Sequence, residues 1–169
     1  MQQQNEPMTH YGYDLVVAEL KNLKEVERPN IVKEISIARE HGDLKENAEY
    51  HAAKEKQQFI EARINELGDL LSRIRVLDPS ALKHDKIGFG STFEILDLDT
   101  DKKTCYTIVG SVESNPKRGL ISFHSPLAKA FIGKEEGDEV SVKLPSGEVD
   151  YEVVRVFFRE IVFGENDAH

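Results

Sequence analysis

The sequence predicts an α+β protein: a long antiparallel α-helical coiled-coil hairpin followed by an antiparallel β-sheet domain with one short helix. Apolar residues recur at helical spacing through the first half, and alternating β-type runs follow Asp78-Pro79. No proline occurs from residue 30 to residue 78. We therefore divide the chain into a disordered lead-in (1–8), an arm (9–78), a globular domain (79–160) and a tail (161–169).

The first predicted helix contains a break. Thr9 is a suitable N-cap for it, and the helical pattern continues to about Arg39. The apolar positions that define its buried face are Val16, Leu20, Leu23, Ile31, Ile35 and Ala38. Pro29 lies between the two runs, and a proline inside a helix removes a hydrogen bond, so we expect a shift of register there.

The second predicted helix covers residues 44–76 and carries a heptad seam. The seam consists of Ile60, Ile64, Leu67, Leu71 and Ile74. Helices of about 27 and 33 residues would reach roughly 40 to 50 Å at 1.5 Å per residue. A short turn near Gly42 permits only antiparallel pairing. Near that turn the small residues Ala38, Ala48 and Ala52 are expected to let the helices approach closely.

The second half of the chain has the pattern of a β-sheet. The β-type runs are 91–98, 104–110, 119–124, 138–144 and 148–158. Residues 144–148 (LPSGE) have the composition of a hairpin turn. A short helix is expected to begin with Ser125 at the N-cap and Pro126 at the first helical position, and to end at Gly133.

Composition excludes several classes of function. The 169 residues carry a formal net charge of −9, which is unsuited to neutralising phosphates, so weak or no binding to free nucleic acid is expected. One cysteine cannot form an internal disulfide, which fits a reducing compartment. The chain has no secretory signal pattern and no apolar run near the roughly 18 residues of a membrane span, so a cytoplasmic location is predicted.

Asp43 and Glu46 are the strongest functional candidates. They stand three residues apart beside Gly42, at the bend between the two helices. If the second helix begins at the turn, both carboxylates share one face. One interpretation is helix capping, with Asp at the N-cap and Glu at N3, and spacing alone favours it. The other is a pair of oxygen ligands for Mg²⁺ whose remaining ligands come from another molecule.

Other candidate sites fit their patterns poorly. Residues 97–101 (DLDTD) begin like a calcium loop, but Lys102 and Ile108 stand where the loop needs Gly and Glu, so an acidic turn is predicted. His41 and His51 are ten residues apart across the bend, which is not the spacing of helix-paired metal ligands. The sequence contains no evident Ser-His-Asp or Cys-His arrangement.

Residues 38–55, AREHGDLKENAEYHAAKE, resemble the signature of the bacterial transcript cleavage factors of the GreA/GreB family. Similarity extends to the N-terminal pattern from Gly12 to Pro29, to residues 119–140 (GLISFHSPLAKAFIGKEEGDEV) and to residues 144–153 (LPSGEVDYEV). The tip sequence HGDLKENAEYH and the acidic balance are closer to the GreA branch than to the GreB branch.

The resemblance implies a fold and a function. The globular domain is expected to be FKBP-like and to bind the rim of the secondary channel of multisubunit bacterial RNA polymerase. The arm would then enter the channel, where Asp43 and Glu46 share a Mg²⁺ with the polymerase and orient a water. The chain itself would not be an enzyme and would hold no metal stably alone. It would stimulate the polymerase to cleave backtracked RNA near the nascent 3′ end.

The resemblance also assigns residues around these two regions. Arg39, Asn47 and Lys54 are expected, as weaker candidates, to contact RNA phosphate or the channel wall. The alternative for Asn47, as for Tyr50, is to orient the turn, or to pack against it and cap it. Residues 125–127 (Ser-Pro-Leu) match the part of the family that contacts the polymerase rim, with helix initiation and packing as the alternative. The alternative function is a channel-plugging inhibitor on the same scaffold, which the intact pair of acids disfavours. The hypothesis that the chain is a peptidyl-prolyl isomerase rests on the expected fold alone and is poorly supported.

Overall fold

The computed structural model describes residues 5–42 and 47–164, and these residues form two units. Residues 13–74 form a helical arm unit, and residues 5–12 with 75–164 form a globular unit. The predicted α+β class is therefore confirmed. Within the described residues, no helix combines the length and the hydropathy required to cross a bilayer.

The arm consists of three helices and one π-helical turn. They are α1 (His10–Asn22), the π-helical turn Leu23–Glu27, α2 (Arg28–Arg39) and α3 (Ala48–Arg73). The predicted break is confirmed: the backbone N–H of Arg28 donates to the carbonyl of Leu23 across the wider turn. Pro29 then lies in the first turn of α2, where a missing N–H costs little.

The second helix is shorter than predicted at both ends. It begins at Ala48 rather than residue 44, because Asn47 provides its N-cap. It ends at Arg73 because the next residues form strand β2 (Ile74–Val76). The prediction that Ile74 belongs to the helical seam was therefore wrong, although Ile60, Ile64 and Leu67 are buried as expected.

The core of the arm is a narrow apolar seam between α2 and α3. Its buried members are Ile31, Ile35, Ala53, Ile60 and Ile64. The expectation that Ala48 and Ala52 pack at the tip was wrong, because both are exposed. Ala53 lies one heptad before Ile60 and therefore continues the seam, so Ala38 and Ala53 are the small buried residues near the tip.

Two bidentate ion pairs link α3 to the helices before the bend. In one pair α3 provides the glutamate, and in the other it provides the arginine. Arg28 donates to Glu61 through Nε and Nη2 at 2.7 and 2.9 Å. Arg63 donates to Glu19 in the same way at 2.8 and 3.0 Å. Both pairs are partly exposed, so each adds modest stability. Their fork geometry nevertheless favours one register of the hairpin over its neighbours.

The Arg28–Glu61 pair gives a pH dependence of known sign. The hydrogen bonds from Arg28 hold the pKa of Glu61 below its ordinary value of 4.5. The contribution of the pair is therefore fully present above pH 4.5 and is lost as the pH falls through the lowered pKa. We expect Glu61→Gln to lower the melting temperature at neutral pH and to have little effect in acid. Glu55→Gln, at an exposed position on the same helix, is the control; an equal effect of Glu61→Gln at both pH values would contradict the assignment.

The globular unit is built on a five-stranded sheet. Its strands are β3 (Thr92–Asp97), β4 (Lys103–Val109), β5 (Leu120–Ser122), β6 (Glu139–Leu144) and β7 (Gly147–Phe157). Their order is β5-β4-β3-β7-β6, with β6 and β7 joined by the predicted hairpin turn. The sheet is antiparallel except that β5 pairs with β4 in parallel, a departure that the alternating pattern did not indicate.

One face of this sheet packs against α4 (Pro126–Phe131). Because side chains alternate along a strand, Phe93 and Ile95 of β3 and Tyr151 and Val153 of β7 face the core, and an irregularity in the β3–β7 pairing shifts the pattern to Val156. The largest fully buried members of this core are Phe93, Phe131, Ile87, Ile95 and Ile108. The rings of Phe93 and Phe131 lie 5.3 Å apart between centroids, which ties α4 to the centre of the sheet.

The N-terminal segment is part of the globular unit. Strand β1 (Glu6–Met8) pairs with β2, and Met8 is only 1% exposed. The prediction of a disordered lead-in was therefore wrong for residues 6–8, because burial of Met8 and strand pairing order them. Residues 1–4 lie outside the described residues. Of the predicted tail, residues 161–164 are described and contain no helix or strand.

Candidate functional site

The tip of the arm is the bend that joins α2 to α3. The last helical residue is Arg39, and Gly42 has a positive φ of 118° that favours glycine. Asp43 and Glu46 lie outside the described residues, so their role as ligands stays a prediction. The capping alternative is wrong in one respect: the N-cap of α3 is Asn47, not Asp43.

Asn47 contacts both helices. Its Oδ1 accepts from the backbone N–H of Tyr50 at 3.1 Å, which is the expected N-cap bond. Its Nδ2 donates to the carbonyl of Ala38, in the last turn of α2, at 2.6 Å. The structure therefore supports the interpretation in which Asn47 caps and orients the turn. With both ends of its amide engaged, Asn47 has limited capacity to contact RNA.

The two basic candidates remain available on the surface of the arm. Arg39 is exposed, and its guanidinium lies 5.9 Å from the centroid of the Tyr50 ring. Lys54 is half-buried, and its Nζ is 3.4 Å from Oε1 of Gln57. Neither forms an ion pair with another residue in 5–42 or 47–164, so both have donors to offer an incoming phosphate.

Residues 125–127 initiate helix α4. The hydroxyl of Ser125 accepts from the backbone N–H of Ala128 at 3.2 Å, and Pro126 occupies the first helical position. The predicted start of this helix is confirmed. Leu127 is half-buried against the sheet core, whereas Pro126 is exposed. A partner that contacts this corner would therefore reach Pro126 more readily than Leu127.

The acidic turn at 97–101 carries no metal-site geometry. Asp97 Oδ1 accepts from the backbone N–H groups of Asp99 and Thr100 at 2.9 and 3.1 Å. The Asp99 hydrogen bond is the main reason that the pKa of Asp97 is lowered. Across residues 5–42 and 47–164, no cluster of three or more His, Cys, Asp or Glu side chains is placed to hold a metal ion.

Sequence reasoning missed Glu113, a buried carboxylate that accepts several backbone hydrogen bonds. This side chain is 4% exposed and accepts from the backbone N–H groups of Thr9, Gly12 and Gly110 at 2.7, 2.9 and 2.8 Å. The Thr9 hydroxyl also donates to it. Glu113 therefore accepts from two backbone N–H groups at the start of α1, where Thr9 alone was expected to cap the helix. The hydrogen bond from Gly110 is local, but those from Gly12 and Thr9 join residues 101 and 104 positions apart in sequence, which no local pattern reveals.

The fold and the arm define a class of protein: a β-sheet domain joined to a helical hairpin with acidic residues in the bend. The family model described as "Transcription elongation factor, N-terminal" matches residues 6–76. The model described as "Transcription elongation factor, GreA/GreB, C-term" matches residues 82–157. The chain belongs to the GreA/GreB family of transcription elongation factors, and the predicted resemblance is confirmed.

The sequences of two GreA relatives agree with this assignment. The chain is 66% identical to the transcription elongation factor GreA of Helicobacter hepaticus over 158 residues, which cover 94% of this chain and 97% of that relative. It is 65% identical to GreA of Helicobacter pylori (strain 26695), and the match covers 95% of this chain and 98% of that relative. A solved structure of GreA factor homolog 1 from Thermus thermophilus is 28% identical, with a TM-score of 0.43 and coverage of 91% and 99%.

Proposed function

We propose that this chain is a transcription elongation factor that stimulates bacterial RNA polymerase to cleave its own backtracked RNA. The globular unit binds the polymerase, and the arm carries Asp43 and Glu46 through the secondary channel to the catalytic centre. Cleavage creates a new RNA 3′ end from which an arrested complex resumes synthesis. The chemistry belongs to the polymerase, so the chain acts as a donor of ligands in trans and works in the cytoplasm.

The observation that carries this proposal is the position of the two acids in the arm. They stand between the end of α2 at Arg39 and the start of α3 at Ala48. The 26 residues of α3 span about 39 Å at 1.5 Å per residue. A hairpin of that length is suited to delivering its bend into a deep channel. Its core is a seam of small and aliphatic residues, which keeps the hairpin narrow.

The donor chemistry fits a shared Mg²⁺. Mg²⁺ prefers six oxygen ligands and usually keeps several waters beside one or two carboxylates and a substrate phosphate. Asp43 and Glu46 would supply two carboxylates, and the polymerase and the RNA would supply the rest. When bound, such an ion polarises the scissile phosphate and helps to generate a nucleophilic water. An incomplete ligand set also accounts for why the chain would not retain the metal alone.

The remaining candidates have supporting roles in this proposal. Arg39 and Lys54 lie on either side of the bend in sequence and would contact RNA phosphate or the channel wall. Residues 125–127 would contact the rim, with exposed Pro126 at the surface. The net charge of −9 fits a factor that reaches RNA only through the polymerase, because long-range repulsion opposes binding to free nucleic acid.

The test is RNA cleavage in stalled, backtracked elongation complexes supplied with Mg²⁺. We expect the wild-type protein to accelerate release of short 3′ fragments and to restore elongation when nucleotides are added. Complexes without the factor measure the intrinsic rate of the polymerase. If the protein instead slows nucleotide addition and releases no fragments, it is a channel-plugging inhibitor and the proposal is wrong.

A further inference from the structure

Asn47 makes two hydrogen bonds to two different helices at the arm tip. A side-chain amide carries a donor and an acceptor at opposite atoms, and here both are used. Nδ2 donates to the carbonyl of Ala38 at 2.6 Å, and Oδ1 accepts from the N–H of Tyr50 at 3.1 Å. Each partner atom belongs to a helix terminus, where backbone groups lack partners within the helix.

On the α2 side the bond completes a helix end. The carbonyl of Ala38 also accepts from the backbone N–H of His41 at 3.2 Å, so both of its lone pairs are engaged. Ala38 itself is 4% exposed and belongs to the buried face of α2. The donor from Asn47 therefore reaches a fixed point in the packed part of the arm.

On the α3 side the same residue begins a helix. Asn47 has extended backbone angles (φ −83°, ψ 96°), and its carbonyl accepts the first helical bond, from His51, at 3.1 Å. Asp, Ser and Thr cap helices about as well as Asn does. An aspartate, however, has no hydrogen to donate to Ala38, and the shorter side chains do not reach both partners. We call the pair of hydrogen bonds from Asn47 to Ala38 and Tyr50 the Asn47 bridge. This bridge, rather than the N-cap bond alone, explains why the residue at this position is an asparagine.

A second contact joins the same two helix ends. The guanidinium of Arg39, the last residue of α2, lies 5.9 Å from the ring centroid of Tyr50 in the first turn of α3. That distance is at the outer range of a cation–π interaction, so the contact is weak. The Asn47 bridge is therefore the stronger of these two links between α2 and the start of α3.

We propose that Asn47 is a positioning residue, which fixes the two ends of the bend that carries Asp43 and Glu46. This inference rests on the proposed function of the tip. Holding Ala38 and Tyr50 at a set separation limits the conformations open to the connecting residues. Less conformational entropy is then lost when the acids engage a metal in the polymerase. Asn47 acts through its neighbours and is not itself a ligand or an RNA contact.

The decisive variant is Asn47→Asp, which keeps the cap and removes the bridge. We expect its cleavage rate at saturating factor to fall roughly tenfold, since small displacements of catalytic groups have effects of this order or larger. The factor concentration for half-maximal rate should stay unchanged, and the melting temperature should fall by less than it does in Asn47→Ala. Asn47→Ala, which loses both bonds, should lower the rate at least as much and should also lower the melting temperature.

Three results would overturn the inference while leaving the proposed function intact. In the first, the wild type stimulates cleavage and Asn47→Asp stimulates it equally well. In the second, Asn47→Asp raises only the factor concentration for half-maximal cleavage, which indicates that Asn47 contacts the polymerase or the RNA. In the third, the melting temperature of Asn47→Asp falls enough to account for its lower cleavage rate. If the wild type itself gives no stimulation, the proposed function fails, and the inference fails with it.

The bridge is also measurable without polymerase. Spin labels at the exposed positions Glu40 and Glu49, in a Cys105→Ser background, report the separation across the bend. We expect a narrow distance distribution with Asn47 and a broader one with Asn47→Asp. Identical distributions would show that the bridge does not fix the bend, and would overturn the inference whatever the cleavage assay gives.

Discussion

Asp43→Asn and Glu46→Gln should each reduce stimulated RNA cleavage by roughly 100-fold, the order found when one preorganised electrostatic group is removed from an active site. Both changes keep the size of the side chain and one acceptor oxygen while removing the charge that a Mg²⁺ ligand requires. The binding of the factor to polymerase should change little, because the globular unit carries most of that contact in the proposed function. Cleavage kinetics and a competition binding assay separate the two effects.

Matched controls for these variants lie in the same part of the arm. Glu40 and Glu49 are exposed acids that flank the bend. Glu40→Gln and Glu49→Gln lower the negative charge of the tip by the same amount but should retain at least half of the stimulation, since surface charges act weakly at a distance. If all four variants lose activity equally, overall tip charge rather than specific ligation is responsible.

Glu113→Ala should destabilise the globular unit by roughly 3–5 kcal/mol, because each buried backbone donor left without a partner costs about 1–3 kcal/mol. The change removes the acceptor for the N–H groups of Thr9, Gly12 and Gly110. Glu113→Gln should be intermediate, since it keeps one acceptor oxygen but turns an NH₂ group toward donors. Urea unfolding monitored by circular dichroism measures the loss.

Two further variants make the Glu113 prediction specific. Glu136→Ala removes an exposed glutamate from the same unit and should change stability by less than about 0.5 kcal/mol. Gly12→Ala should destabilise strongly, because its Cβ would lie 2.5 Å from Oε1 of Glu113. Near-wild-type unfolding of both Glu113→Ala and Gly12→Ala would contradict the role of Glu113 as the buried acceptor for these N–H groups.

Local sequence patterns predicted the elements whose causes are local. The heptad seam at Ile60 and Ile64 is buried, and Ser125-Pro126 begins α4, as capping chemistry requires. The predicted break near Pro29 also appears, because proline has no backbone N–H and the helix has to accommodate the lost hydrogen bond. These features depend on residues a few positions apart, which is the range over which periodicity and capping act.

Features that depend on distant partners were missed. The hydrogen bond from Asn47 to the carbonyl of Ala38 joins residues nine positions apart across the bend. The order of residues 6–8 depends on strand β2, and Glu113 acts on Thr9 from 104 residues away. The parallel pairing of β5 with β4 likewise follows from chain topology. The acids Asp43 and Glu46 were singled out by the family resemblance, since their spacing alone is also that of a helix cap.

The most direct test of the shared-metal proposal is the Mg²⁺ dependence of RNA cleavage in backtracked complexes at saturating factor. We expect wild-type protein to lower the Mg²⁺ concentration for half-maximal cleavage relative to polymerase alone, because it adds ligands to an incomplete site. Asp43→Asn and Glu46→Gln should return that concentration to the value for polymerase alone. A wild-type Mg²⁺ dependence in both variants would contradict ligation by the arm tip.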